Sequence, residues 1–285
     1  MEQLPDKIEE LVHELSVLPY NDMHYEGPPV GALVLTNYVV WLVIATLTVF
    51  VIFFLVARRE QKRMSFAVES GKVTDLAPTS KFVSMIELGV EFIRDMAIDV
   101  IGPKDGPKYT AFLGTFFFMI LVSNIYGLVP GGKPFAGTMG ATVALALIVW
   151  VVFVFVGFKK NGFFGYMKSL IPSGVREMPL AGRIGLGSYI FLLEFISTFI
   201  IRPLTQSVRL FANMYAGHII LGVFSAFVVL FMRQFSVANF AVGTVSMLFL
   251  IIMYAFEIFV AFIQAYVFTI LTAVYIQSSV HASEH

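Results

Sequence analysis

A chain of 285 residues in which 58 % are hydrophobic and only 13 % charged is too apolar for an ordinary soluble domain and reads as an integral membrane protein. Basic and acidic side chains balance to a formal net charge of zero, so no bulk attraction to nucleic acid is indicated. With no cysteine, disulfides, thiolate catalysis and Cys-based metal sites are excluded.

Segment 1–32 is acidic and lacks the basic start and apolar run of a signal peptide, so it is expected to stay on the mature protein. Ile8, Leu11, Val12 and Leu15 share one helical face, which predicts a short amphipathic helix resting on the membrane or a partner. Residues 33–57 are apolar for long enough to span a bilayer and are followed by the basic cluster Arg58, Arg59, Lys62 and Arg63. Segment 58–109 is expected to be a cytoplasmic loop, soluble and partly helical, with Gly102 and Pro103 as a helix stop.

A core channel domain is expected over 110–285, opening with spans at 110–129 and 138–158 separated by the turn "GLVPGGKPFAG". With the N-terminus outside and the C-terminus cytoplasmic, only Lys7, Lys133 and Arg233 among the basic residues fall outside, which satisfies the positive-inside rule. The glycine run "GRIGLGS" has the spacing of a loose phosphate loop but precedes a membrane helix, and is read as a flexible turn.

The stretches 187–232 and 236–278 are each apolar for about 45 residues, or roughly 65–70 Å as straight helices, more than twice a bilayer core of about 30 Å. Either each breaks into two spans or each lies steeply tilted, Pro203 being a place for a kink. The fold class expected is an all-α integral membrane protein, with three or more ordinary transmembrane helices plus a hairpin of two long, steeply tilted membrane helices.

Polar residues inside these stretches point to function, because a charge at the bilayer centre costs about 2.5–3.5 kcal/mol or more unless it meets water or a counter-charge. Arg202, Gln206, Arg209 and Asn213 follow one another at helical steps and predict a single polar stripe, while His218, nine residues beyond Arg209, falls on the opposite side. On the second long helix Glu257 and Gln264 share a face, Tyr254 continues it, and Tyr275 lies near it further on. An antiparallel hairpin lets His218 and Glu257 meet, and an imidazole beside a carboxyl is the makings of a proton path.

Blander roles compete for each residue. Arg202 also fits a snorkelling helix end, Arg209 a structural charge paired with Glu194 or Glu257, and His218 a satisfied core histidine. Asn213, Gln264, Ser123 and Asn124 fit interhelical hydrogen-bond glue as well as a polar lining. Glu177 reads as a solvated loop charge, and His281 and His285 are too sparse for a metal site. There is no nucleotide loop, no H-E-x-x-H and no G-x-S-x-G, so neither a catalytic centre nor a metal or cofactor site is expected.

"EFISTFIIRPLTQSVRLFANMYAGHIIL" at 194–221 and "FEIFVAFIQAYVFTILTAVYIQ" at 256–277 resemble the two signature helices of the a subunit of F-type ATP synthases, and "LVSNIYGLVPG" at 121–131 resembles the family's second-span motif. The likeness runs from about Thr110 to the end of the chain; the first hundred residues match mainly by topology. The resemblance implies a non-catalytic stator facing a ring of c subunits, held by peripheral-stalk b subunits and membrane lipid, binding neither nucleotide nor nucleic acid. Arg209 falls on the family's essential arginine, Asn213 and Gln264 on polar neighbours, and His218 with Glu257 on the lining of the outer proton half-channel. Gln206, Asn124, Glu194 and Tyr275 are further lining candidates. "KPFAGTMGATVALAL" stands where many relatives carry an acidic or Asn residue, so the outer channel mouth is expected to be lined differently. The membrane implied is an energy-transducing one, the bacterial inner membrane first. A self-contained secondary transporter, which predicts inverted repeats and broken helices, and an inert scaffold are the competing readings.

Overall fold

The computed structural model describes residues 37–70, 81–129, 132, 134–171, 175, 180–232 and 237–282. The amphipathic pattern expected at 8–15, and Lys7, Lys133, Glu177, Arg233 and His285, lie outside the described residues.

Every extended element among the described residues is helical, and the chain is an all-α integral membrane protein. Lipid offers the backbone no hydrogen bonds, so an apolar segment satisfies its N–H and C=O groups by coiling on itself. In chain order the helices are α1 (Asn37–Ser70), α2 (Lys81–Ile101), α3 (Gly106–Leu128), α4 (Met139–Asn161), α5 (Phe163–Ser169), α6 (Leu180–Ile196), α7 (Arg202–Met232) and α8 (Val237–Val280). A 3₁₀ turn, Phe135–Gly137, precedes α4, and a π-helical turn, Ser197–Ile201, joins α6 to α7 without a break. Among the described residues five stretches are long and apolar enough to cross a membrane: Val40–Arg59, Gly106–Leu128, Met139–Asn161, Gly185–Met232 and Asn239–Val280.

α8 is the axis of the molecule, packing on α7, α3, α4 and α2, while α1 touches mainly α3. Burial separates their roles: 44 % of the α3 span is enclosed by protein but only 6 % of the α1 span, so α1 is peripheral and its Phe50, Leu47 and Leu55 are exposed. The core is aromatic. Phe116 stacks on Phe268 at 5.8 Å, Phe117 meets Phe262 edge-on at 5.8 Å, and Phe153 lies 5.6 Å from Tyr275.

Two segments differ from their expected form. Over 58–109 the chain is mostly helix: α1 runs on to Ser70, and α2 buries Val83, Ile86, Ile93, Met96, Ala97 and Ile101 against the bundle. Its charges occupy the other face, so a segment that looks soluble by charge content is an amphipathic helix docked on the membrane domain. Gly102, with φ +107°, ends α2 as the glycine predicts. The run "GRIGLGS" is the first part of α6 rather than a flexible turn, because in apolar surroundings unmade backbone hydrogen bonds cost more than the roughly 1 kcal/mol helix penalty of a glycine.

One end of the bundle is tied by polar contacts. Asp105 takes hydrogen bonds from Lys108 at 2.7 Å and Lys160 at 3.0 Å, which hold its carboxyl down at about 2. Asn161 donates through Nδ2 to the Ser279 carbonyl at 2.9 Å, and the Tyr166 hydroxyl lies 3.4 Å from Ser279 Oγ, fastening α4 and α5 to the end of α8.

Candidate functional site

The hairpin of α7 and α8 carries the polar residues, and its packing decides which way each one points. α7 buries Gln206, Leu210, Met214, Gly217 and Leu221, which recur at steps of four, four, three and four and so form one stripe. Arg202, Arg209 and Asn213 lie along one edge of that stripe and His218 along the other. The four-residue polar row expected on α7 is therefore divided: Gln206 turns into the seam, where its Nε2 donates to the Phe268 carbonyl at 3.3 Å and to Thr272 Oγ1 at 3.1 Å.

Arg209 is exposed and makes no hydrogen bond or ion pair among the described residues. It is paired neither with Glu194 nor with Glu257. Arg202 takes the first of these instead: its Nη2 lies 4.0 Å from Glu194 Oε2, its Nη1 donates to Ser278 Oγ at 3.2 Å, and its guanidinium sits 5.2 Å from the Tyr275 ring centre. Glu194 and Arg202 are eight residues apart, a separation that a regular helix would not align. The π turn absorbs one residue and restores the two-turn register, and the Arg202 N–H bonds the Ser197 carbonyl, five residues back. The wide turn lies just before Pro203, whose ring would clash with a carbonyl four residues earlier.

Toward the α7–α8 turn, Glu257 is 5 % exposed and its carboxylate rests against Gly217. Any Cβ at position 217 would collide with that carboxylate. His218 follows on the same turn, with Nε2 buried and unpartnered. Among the described residues no hydrogen bond or ion pair joins His218 to Glu257: the hairpin brings them to one level, but His218 leaves by the edge of the packed stripe while Glu257 faces its middle.

Asn124 on α3 is fully buried with both Oδ1 and Nδ2 unpartnered. The Phe116–Phe268 and Phe117–Phe262 contacts fix the antiparallel register of α3 on α8 and carry Asn124 to within about a turn of the level of Glu257. Its neighbour Ser123 is glue, its Oγ accepting the Phe135 N–H at 3.3 Å. Gln264 is buried on α8, one turn from Ala261 and Phe268, and Asn213 is half-buried beside Arg209.

The polar residues thus fall at three heights. His218, Glu257 and Asn124 lie toward the hairpin turn; Arg209, Asn213 and Gln264 lie at mid-length; Glu194, Arg202, Tyr275 and Ser278 lie toward the C-terminal end. His218 and Arg209 are nine residues apart on α7, about 13 Å along its axis. Sequence reasoning missed two members of the polar interior, Trp150 and Thr198, whose Nε1 and Oγ1 are buried and unpartnered, with Trp150 held edge-on to Phe199 at 5.8 Å. Neither carries a charge or a motif that would single it out.

The model of the family described as ATP synthase A chain matches residues 39–277, from the first span almost to the end of α8. The chain belongs to the ATP synthase A chain family. It is 34 % identical over 268 residues to the ATP synthase subunit a of Pseudarthrobacter chlorophenolicus, covering 93 % of each chain. It is 40 % identical over 205 residues to that of Rhodococcus erythropolis, covering 70 % of this chain and 71 % of the relative, and 38 % identical over 205 residues to that of Maricaulis maris, covering 70 % and 76 %. The family match takes in α1 and α2, where motif resemblance was weak. It assigns the ATP synthase A chain frame to the whole multi-pass membrane domain.

Proposed function

We propose that this chain is the membrane stator of an F-type ATP synthase, forming two offset proton half-channels against a ring of c subunits and coupling proton flow to rotation. The observation that carries the reading is Arg209, an exposed guanidinium, unpaired among the described residues, midway along the apolar stretch Gly185–Met232. In lipid such a group costs at least about 2.5–3.5 kcal/mol, a cost removed if an external carboxylate meets it in the membrane. Arginine stays charged at any physiological pH and offers a fixed fork of donors, suited to a carboxylate that arrives, passes and leaves.

A ring carboxyl facing lipid is stable only when protonated, because the anion is too costly there. Beside Arg209 the anion is favoured, so the carboxyl releases its proton there, passes as an anion, and is reprotonated further on. His218, Glu257 and Asn124 supply a polar route toward the hairpin turn, the outer half-channel. Glu194, Tyr275 and Ser278 supply a candidate route toward the opposite end. Asn213 and Gln264 flank the arginine, and Gln206 braces α7 on α8 at its level. The offset between the two routes means that no proton crosses directly, since Arg209 disfavours a proton at the point between them. A charge crossing 100 mV releases about 2.3 kcal/mol, so several protons are needed per nucleotide made.

The basic residues favour an outside N-terminus and a cytoplasmic C-terminus, with bacterial inner membrane as location and peripheral-stalk b subunits as further partners. The test is ATP-driven acidification of inverted vesicles containing the assembled complex with Arg209→Ala. Loss of pumping in an assembled complex supports the reading, and wild-type pumping overturns it.

A further inference from the structure

α1 and α3 do not close on one another along their length. They meet where Thr48 Oγ1 lies 2.8 Å from the Tyr126 hydroxyl and where Phe53 meets Phe118 edge-on at 5.0 Å. Beside these contacts is a cavity of about 620 Å³, lined by Val49, Phe50 and Phe53 of α1, Val90 and Ile93 of α2, and Gly114 among others on α3. A second cavity of about 360 Å³ shares Phe53 and Val90 and runs on to Glu87, Glu91 and Arg94.

Three observations say what fills this crevice. It is a membrane crevice bordered by a helix with only 6 % of its span enclosed, and a dry apolar void open to a bilayer forfeits dispersion contacts that a hydrocarbon chain restores. Its volume suits a hydrocarbon chain, whereas a helix about 10–12 Å across could lie over the crevice but not enter it. It also ends in charge of both signs. Phe50 stacks on Phe54 at 5.9 Å, and the Arg58 guanidinium lies 4.3 Å over Phe54, so one stripe of α1 leads from the larger cavity to a cation just beyond its lining, while Glu87, Glu91 and Arg94 line the second cavity.

We infer that the crevice between α1, α2 and α3 is a binding site for one aminophospholipid, an acyl chain lying in the larger cavity, its phosphate against Arg58 and its ammonium against Glu87. None of its lining residues belongs to the polar residues of α7 and α8. Arg94 is engaged with Glu91 at 3.5 Å and Asp95 at 3.2 Å and leaves Arg58 as the phosphate donor.

Gly114 gives the means of testing it, because a Cβ built there meets nothing within 4 Å. A Gly114→Phe side chain would occupy the cavity without moving the backbone. The assembled complex is placed in nanodiscs containing phosphatidylethanolamine with a photoactivatable acyl chain, irradiated, and its labelled peptides mapped. The expected result is labelling of the peptides carrying Phe50 and Gly114, reduced on the order of tenfold by Gly114→Phe, while the exposed residues Leu147, Ile148, Val151 and Phe155 of α4 keep theirs. Gly114→Leu, a smaller filler, gives an intermediate loss. Arg58→Gln weakens labelling about fivefold, the effect of one basic residue at the membrane surface. Labelling of α1 and α3 no stronger than that of α4, unchanged labelling in Gly114→Phe, equal labelling by a phosphatidylglycerol probe, or crosslinking of position 114 to a partner subunit's helix would each overturn the inference.

Discussion

Glu257 on α8 lies with its carboxylate against the bare backbone of Gly217 on α7, and the space it occupies exists because residue 217 has no side chain. This contact sets the separation of the two helices at the level of His218. Gly217→Ala is expected to force the carboxylate or the helix pair aside and to reduce proton pumping by an order of magnitude or so while the complex still assembles, with Gly217→Val worse. Dye-quenching in inverted vesicles, read beside the amount of assembled complex, checks this. Equal pumping in Gly217→Val would show that the position of Glu257 is unimportant.

Gln206 joins α7 to α8 by two hydrogen bonds in a buried seam. Interhelical hydrogen bonds in membranes average about 0.6 kcal/mol, with a maximum near 1.7. Gln206→Leu keeps the volume and is expected to lower stability within that range; Gln206→Ala adds a cavity and costs more. Thermal unfolding of the detergent-purified chain distinguishes the two.

Asn124 presents the opposite case, a buried amide with no partner among the described residues. An unsatisfied buried polar group costs about 1–3 kcal/mol, so Asn124→Leu is expected to leave the chain as stable as wild type or more so. If the amide lines a water path to Glu257, the same substitution lowers pumping. A stabilised chain with reduced pumping is the expected pair of results; a destabilised chain would mean that the amide is structural.

Asp105 is held at about 2 by Lys108 and Lys160, against 3.8 unperturbed. A depressed carboxyl contributes stability that is full above the unfolded value and is lost as pH falls through about 4 toward 2. Asp105→Asn is therefore expected to lower the melting temperature slightly at pH 7, in line with an exposed cluster, and the difference should shrink below pH 4 and in high salt. A difference that grows on acidification would contradict this.

The legibility of the chain varied with the strength of the physics behind each pattern. The spans and the long hairpin could be read directly, because lipid tolerates little besides apolar helix and a 20-residue run has few other uses. Helix bounds were less legible: α1 continues to Ser70 past the basic cluster that marks the membrane edge, since charge ends a membrane span without ending a helix. α2 carried its burial in spacing rather than in hydropathy. At the site, helical steps placed Arg209 and His218 on opposite edges of α7, but they gave Gln206 to the same open face as Arg209. A difference of about 60° around the helix is within pattern error, and it decides whether an amide faces a partner or the seam.

Composition and periodicity determined by themselves that this is a membrane-spanning helical protein with a charge at mid-helix, because burying an arginine is too costly to be incidental. The family likeness was equally legible in "RLFANMYAG". Tertiary packing alone decided that Arg209 is left unpaired while Arg202 takes Glu194, that Glu257 lies against Gly217 without bonding His218, and that Asn124 is brought to their level from another helix. These outcomes depend on the π turn before Pro203 and on the register of aromatic contacts between α3 and α8. Both are set by side-chain shape across helices, and shape complementarity has no period along the chain.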